Sequence, residues 1–200
     1  MSVDTLPLQL GPNANGMLLS PEEFDSAEFE RGWCYELIRG VLIVTPAPLE
    51  EERDPNEELG HLLRSYQEGH PEGAALNKTL HEQDIDVGAD RRRADRVIWA
   101  GLGRLPNRRE VPTIVDEFVS SGRRNRERDY NEKRDEYLNL GVQEYWIIDR
   151  FQRLMTIHLM HDGACETKLL HESDNYSTSL LPGFQLPLAR LLALADGWED

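Results

Sequence analysis

Short apolar runs bounded by turn residues follow one another along this chain, with helical spacing in only a few stretches. Ser20-Pro21-Glu22-Glu23 has the makings of a helix start, with Ser20 as N-cap, Pro21 at the first position and Glu23 closing a capping box. Residues 34–38 and 41–44 are apolar runs around Arg39-Gly40, the pattern of a hairpin, with Glu36 a lone acid inside the first. A polar connector at 45–55 leads to a helix over roughly 55–68, where Leu59, Leu62, Leu63 and Tyr66 make one apolar stripe. Strands are predicted at 76–81, 83–87, 94–100 and 112–119, the last two separated by a loop at 101–110. The run from 124 to 140 reads as a helix, stopped by Gly141 at a C′-type position. Residues 143–149 and 153–160 then form an antiparallel pair, and Asp162-Gly163 turns the chain into a further strand at 165–170. Residues 180–195 close as a loop and a short amphipathic helix.

This order predicts an α/β fold bordering on α+β. One central mixed sheet is flanked by helices, with an N-terminal hairpin and a C-terminal antiparallel meander. Residues 1–19, rich in Gly, Pro and Asn, read as a flexible tail, 20–195 as a single domain and 196–200 as a C-terminal tail. The length of 200 residues suits one core. No apolar run approaches the roughly 18–20 residues that span a bilayer, and the N-terminus lacks the basic start and apolar core of a signal peptide. Cys34 and Cys165 have no metal-type spacing, so both are expected as reduced thiols of a cytoplasmic protein.

The strand at 112–119 has an anomaly. Asp116 and Glu117 stand side by side among Ile114, Val115, Phe118 and Val119. Neighbouring strand residues point to opposite faces, so at least one carboxylate is aimed at whatever packs on the sheet. A buried acid neutralises, finds a partner or binds a metal. By alternation Glu117 shares a face with Val115 and Val119, and Asp116 with Ile114 and Phe118.

Charge sharpens the picture. The formal net charge of −15 argues against general nucleic-acid binding, but residues 91–134 carry a local balance of +6 against −21 elsewhere. That local excess suits either a solvated mixed-charge surface or a basic rim around an anionic ligand. In the helix ending at 140, a 100° turn per residue sets Tyr130, Lys133, Tyr137 and Leu140 on one inward stripe. With only three lysines against nineteen arginines, a lysine there stands out. Either its stem packs on Tyr137 while the ammonium reaches out to acidic neighbours, or the ammonium meets Glu117. Asp95, at the start of its strand, is either paired with Arg91–Arg93 or Arg96, or set beside Glu117 on neighbouring strands. Two carboxylates with backbone carbonyls and water are what a hard cation such as Mg²⁺ accepts, and a lysine beside it can position a water. The six histidines are scattered without zinc spacing, Ser120-Ser121-Gly122 is no nucleophile elbow, and no Walker or Rossmann glycine pattern occurs.

Glu117-Phe118-Val119-Ser120, then Asp129, Glu132-Lys133, and the run Tyr137-Leu138 through Gly141-Val142 to Glu144-Tyr145-Trp146 resemble the Uma-two family of restriction-endonuclease-like proteins. That family lies within the PD-(D/E)xK nuclease superfamily. The hairpin around Arg39-Gly40 and the segment at 180–192 resemble the family's opening and closing elements, so the likeness covers about 20–195. It implies a restriction endonuclease-like fold and a Mg²⁺- or Mn²⁺-dependent endonuclease hydrolysing DNA. Asp95 matches the motif aspartate, Glu117 the acid of the (D/E)xK element, Lys133 the lysine moved onto the following helix, and Glu36 an acid near the family's start. Asp95, Glu117 and the Phe118 carbonyl are the expected metal ligands, and Arg123, Arg124, Arg126 and Arg128 the expected phosphate contacts. Ala94 replaces the motif proline, and Val119 stands where the standard spacing has its lysine. The alternative is a nuclease fold used without catalysis, as a binding or assembly module. A cutter of both strands is expected to work as a homodimer.

Overall fold

The computed structural model describes residues 7–161 and 163–198; residues 1–6, Asp162 and residues 199–200 lie outside the described residues. Where the sequence suggests a single domain, the chain groups into two compact units, Met1–Ala47 with Asp84–Arg93, and Pro48–Gln83 with Ala94–Asp200. No helix of the described residues is long and apolar enough to cross a membrane.

In the smaller unit, β1 (Gln9–Leu10) pairs in parallel with β2 (Glu28–Phe29), and α1 (Pro21–Ser26) lies between them in sequence. Residues 7–19 are therefore no loose tail. Leu10 and Leu19 are buried with Phe24, Tyr35, Leu37 and Leu42, and apolar burial repays the ordering of that segment. The capping box forms as read: Ser20 Oγ accepts from the Glu23 amide at 3.2 Å and the Glu23 carboxylate from the Ser20 amide at 2.7 Å. β3 (Trp33–Ile38) and β4 (Val41–Pro46) make the predicted hairpin. Arg39 and Gly40 both adopt positive φ, 52° and 76°, as the twist of a two-residue turn requires.

The larger unit opens with α2 (Glu50–Gly69), which begins inside the expected connector and carries Pro55 within it. Three glutamates in its first turn meet the positive end of the helix dipole, and the Glu52 carboxylate accepts from the Leu49 amide at 2.8 Å. β5 (Leu76–Val87) is one strand where two were predicted, with the break marked by Glu82 at φ 47°. β6 (Asp90–Ala100) starts four residues early; its first four residues, like the last four of β5, belong to the smaller unit. β7 (Ile114–Phe118) pairs antiparallel with β6 and parallel with β8 (Glu144–Asp149). A parallel pair needs a crossover. Here it is α3 (Arg123–Glu127), a π turn (Arg128–Glu132) and α4 (Lys133–Leu140), ended by Gly141 at φ 102°. β9 (Leu154–His161) and β10 (Ala164–His171) extend the sheet as an antiparallel meander, giving the order β10-β9-β8-β7-β6 with β5 also on β6. The short pair β11 (Asn175–Tyr176) and β12 (Leu186–Pro187) precedes α5 (Leu188–Asp196). The result is the expected mixed α/β fold, with a mostly antiparallel central sheet flanked by helices.

Strand alternation divides this sheet into two faces. Ile114, Phe118, Trp146, Ile148 and Ile157 face α2 and α5 and form one core with Leu59, Leu63 and Leu191. Val115, Glu117, Tyr145 and Ile147 face α4, where the Tyr137 ring meets Tyr145 edge-on at 5.3 Å. On the α2 face lies a wholly buried Arg96. Its guanidinium donates to Asn56 Oδ1 and to the Asn56 carbonyl, both at 2.7 Å, and to Thr79 Oγ1 at 3.2 Å. It lies directly over Gly60, where a Cβ would stand 2.7 Å from Nη2. Alanine ordinarily stabilises a helix over glycine by about 1 kcal/mol. Because this guanidinium is pinned, Gly60→Ala is expected instead to cost about 1–3 kcal/mol, read as a lower urea midpoint.

Candidate active site

The β6–β7 register pairs Arg96 with Asp116, Val97 with Val115 and Ile98 with Ile114. Continued by one residue, it sets Asp95 opposite Glu117, and cross-strand partners share a face. This register sets the two carboxylates at one end of the strand pair. Asp95 is anchored twice: its Oδ2 accepts from the Phe118 amide at 2.7 Å, and its carbonyl accepts from the Asn56 side chain at 2.9 Å.

From above, α4 delivers the lysine. Lys133 Nζ lies 2.8 Å from Glu117 Oε1, and the Tyr137 hydroxyl donates to the same oxygen at 3.3 Å. Lys133 and Glu117 are each only 2% exposed, whereas Asp95 is half-buried at the margin. Of the two readings of Lys133, the inward one holds. The helical stripe is only partly as counted. A π turn precedes Lys133, and the wider winding turns Asp129 inward, while Tyr130 is half-buried and donates to Asp149 at 3.1 Å. Asp129 is 1% exposed, accepts from Arg128 Nε at 3.0 Å, and its carbonyl accepts from the Tyr145 hydroxyl at 2.9 Å. Sequence reasoning gave Asp129 no role; its signal was the four-residue spacing Asp129, Lys133, Tyr137.

Three carboxylates therefore share one poorly solvated space with two cations. Burial pushes the Glu117 carboxyl well above its ordinary range; Lys133 opposes this, and Asp95 and Asp129 add to it. Asp95 is pushed up to about 6, again mainly by burial, with Lys133 and the Phe118 amide pulling it back. Among the described residues, no group of three or more His, Cys, Asp and Glu side chains is arranged to hold a metal. The smaller donor set of Asp95 and Glu117, with acid in excess over base, suits a Mg²⁺-type ion that keeps much of its water shell.

The remaining candidates are placed as follows. Phe118 supplies its amide to Asp95 and its ring to the α2-side core. Glu36 belongs to the smaller unit, where its carboxylate accepts from the Arg93 amide at 3.0 Å and lies 3.9 Å from Arg92 Nη1. Arg123 is exposed at the start of α3, and the side chain of Arg124 lies outside the described residues. Arg126 is 3.3 Å from Asp149, and Arg128 is bound to Asp129, so two of the four basic side chains already meet internal acids. Asp116 faces the opposite side of the sheet, fully buried, and neither of its oxygens accepts a hydrogen bond among the described residues. Burial holds its carboxyl well above the ordinary range; Asp95 adds to this and Arg96 opposes it. The anticipated arginine is beside it in register, but that guanidinium is spent on Asn56 and Thr79. Glu52, unremarked in the sequence, is buried near the end of β7 and hydrogen-bonds Ser120, with burial raising its pKa. It sits in a run of acids that looks solvated, so nothing in the pattern singled it out.

A folded-state carboxyl raised from 3.8 to about 6 favours folding at low pH, and that contribution is lost as pH rises through 6. In metal-free buffer, Asp95→Asn is therefore expected to gain stability relative to wild type between pH 4 and pH 8, by about 3 kcal/mol at most. Urea unfolding of both proteins at several pH values measures the difference.

Comparison with known proteins agrees with this fold. No curated relative matches the sequence. A crystal structure titled as a "putative nuclease belonging to DUF820" from Anabaena variabilis ATCC 29413 superposes with a TM-score of 0.69 at 14% sequence identity. The match covers 88% of this chain and 99% of that one, and it establishes likeness of fold. A family model described as "Uma2: Putative restriction endonuclease" matches residues 21–189, which include β7, α4 and β8. With the match running over most of the chain, this protein belongs to that Uma2 family.

Proposed function

We propose that this protein is a divalent-metal-dependent endonuclease that hydrolyses DNA phosphodiester bonds. The observation that carries the reading is the Lys133 ammonium brought by α4 onto Glu117, with Asp95 on the neighbouring strand. Family membership and the nuclease-like fold support it. Asp95, Glu117 and the Phe118 carbonyl would hold Mg²⁺ or Mn²⁺. When bound, such an ion supplies Lewis-acid stabilisation of a phosphoryl oxygen and a more acidic water. Lys133 orients the attacking water and offsets the negative charge that builds on phosphorus in the transition state. Tyr137, donating to Glu117, holds that carboxylate in place while Lys133 turns toward substrate. The phosphodiester backbone is met by the basic run Arg123, Arg124, Arg126 and Arg128, whose charge stands out against an acidic chain.

One observation favours a second reading, a nuclease fold serving as a binding or assembly module. The Lys133–Glu117 pair is closed and nearly dry, as a structural ion pair would be. Nicking of supercoiled plasmid with Mg²⁺ or Mn²⁺ separates the two. Wild type is expected to nick, and Lys133→Ala to lose about 100-fold or more in rate while remaining folded by circular dichroism. Calorimetry is expected to show Mn²⁺ binding that Asp95→Asn and Glu117→Gln abolish. Equal cutting by Lys133→Ala would overturn the mechanism, and absence of any Mn²⁺ heat would favour the module.

A further inference from the structure

β10 is the outermost strand of the larger unit's sheet. Its inner edge pairs with β9 without a break from Ala164↔His161 to His171↔Leu154, and among the described residues no strand pairs with its outer edge. Residues 164–169 are all exposed, Leu169 at 61%. The strand contains no proline and its register contains no bulge, two devices by which sheets ordinarily protect an open edge. Such an edge offers a row of backbone donors and acceptors to another strand.

We infer that β10 pairs antiparallel with β10 of a second copy of this chain, about a twofold axis through Thr167. The observation favouring a second copy is that the segment is complementary to itself. With Thr167 opposite Thr167, Glu166 faces Lys168 of the other chain and Lys168 faces its Glu166, while Cys165 faces Leu169. Cross-strand opposite charges and Thr–Thr pairs are both favourable, and Leu169 loses exposure against Cys165. Within one chain Glu166 and Lys168 already approach to 3.8 Å, so the two cross-chain pairs complete a group of four alternating charges. Charge also selects the register. A slip of two residues keeps each side chain on its face but sets Glu166 against Glu166 or Lys168 against Lys168, and like charges directly opposite are destabilising. Closure by a twofold makes the contact isologous, so it ends at two chains. The pairing does not depend on the proposed nuclease chemistry, whose residues lie on β6, β7 and α4.

Sedimentation equilibrium of the full chain, from micromolar to millimolar concentration, tests the pairing. Wild type is expected to form a dimer. Glu166→Lys and Lys168→Glu, each placing like charges opposite, are expected to weaken it about tenfold or more, and the double exchange E166K/K168E to restore it. In a Cys165→Ser background, Thr167→Cys is expected to give a disulfide-linked dimer on oxidation, because that position meets itself. All four positions are exposed, so folding is kept, and circular dichroism verifies it. A wild type that stays monomeric throughout would overturn the inference. So would single reversals that dimerise as wild type does, a double exchange that fails to restore the dimer, or a dimer that Thr167→Cys does not link.

Discussion

The contact between Lys133 and Glu117 is the constraint around which the larger unit is arranged. Two charges removed from water lose several kcal/mol of solvation each, and only close, hydrogen-bonded geometry offsets that cost. Asp95 and Asp129 make the demand greater, since each adds negative charge to the same space. The lysine therefore has to arrive on the β7 face within hydrogen-bond reach, and no residue of β7 supplies it, because Val119 occupies the position next on that face. The crossover between parallel strands answers this. Its π turn brings Asp129 inward along with Lys133, and Gly141 then reverses the chain so that β8 can enter beside β7.

β7 carries two adjacent acids with opposite surroundings. Glu117 has a lysine and a tyrosine hydroxyl; Asp116, one residue away, has Arg96 nearby but no hydrogen bond to its side chain among the described residues. On the α2 face the polar atoms are organised instead around Arg96, which donates three hydrogen bonds to Asn56 and Thr79 over a glycine that leaves room for its guanidinium. Asn56 links the two faces, since its side chain also holds the Asp95 backbone. The buried arginine thus positions the strand that carries one site carboxylate. An elevated Asp116 pKa is what such a site leaves behind: with no donor to stabilise the anion, the neutral acid is the cheaper form.

Likeness of fold at 14% identity shows how little of the sequence the architecture needs. What it needs is alternation in β7, β8 and β9 that covers both faces, and helices whose apolar sides match them. Chemistry is grafted onto that frame at a few positions. In the smaller unit, by contrast, Glu36 is enclosed by its own neighbours, the Arg93 amide and the Arg92 guanidinium.

Local rules made much of this legible from the chain alone. The capping box at Ser20, the Arg39-Gly40 turn, the helix stop at Gly141 and the strands around the two acids follow from sterics and hydrogen bonding between near neighbours. So does the assignment of Glu117, rather than Asp116, to the α4 face, because strand alternation is a property of the backbone. Other features were out of reach for an equally physical reason. The early start of α2, the order in residues 9–19, the inward turn of Asp129 and the burial of Glu52 all depend on partners distant in sequence. A solvated carboxylate and a desolvated one are spelled with the same letter. Sequence determined which residues could meet on one face; only tertiary packing decided which of them lost water, and it is that loss of water that ties Lys133 to Glu117.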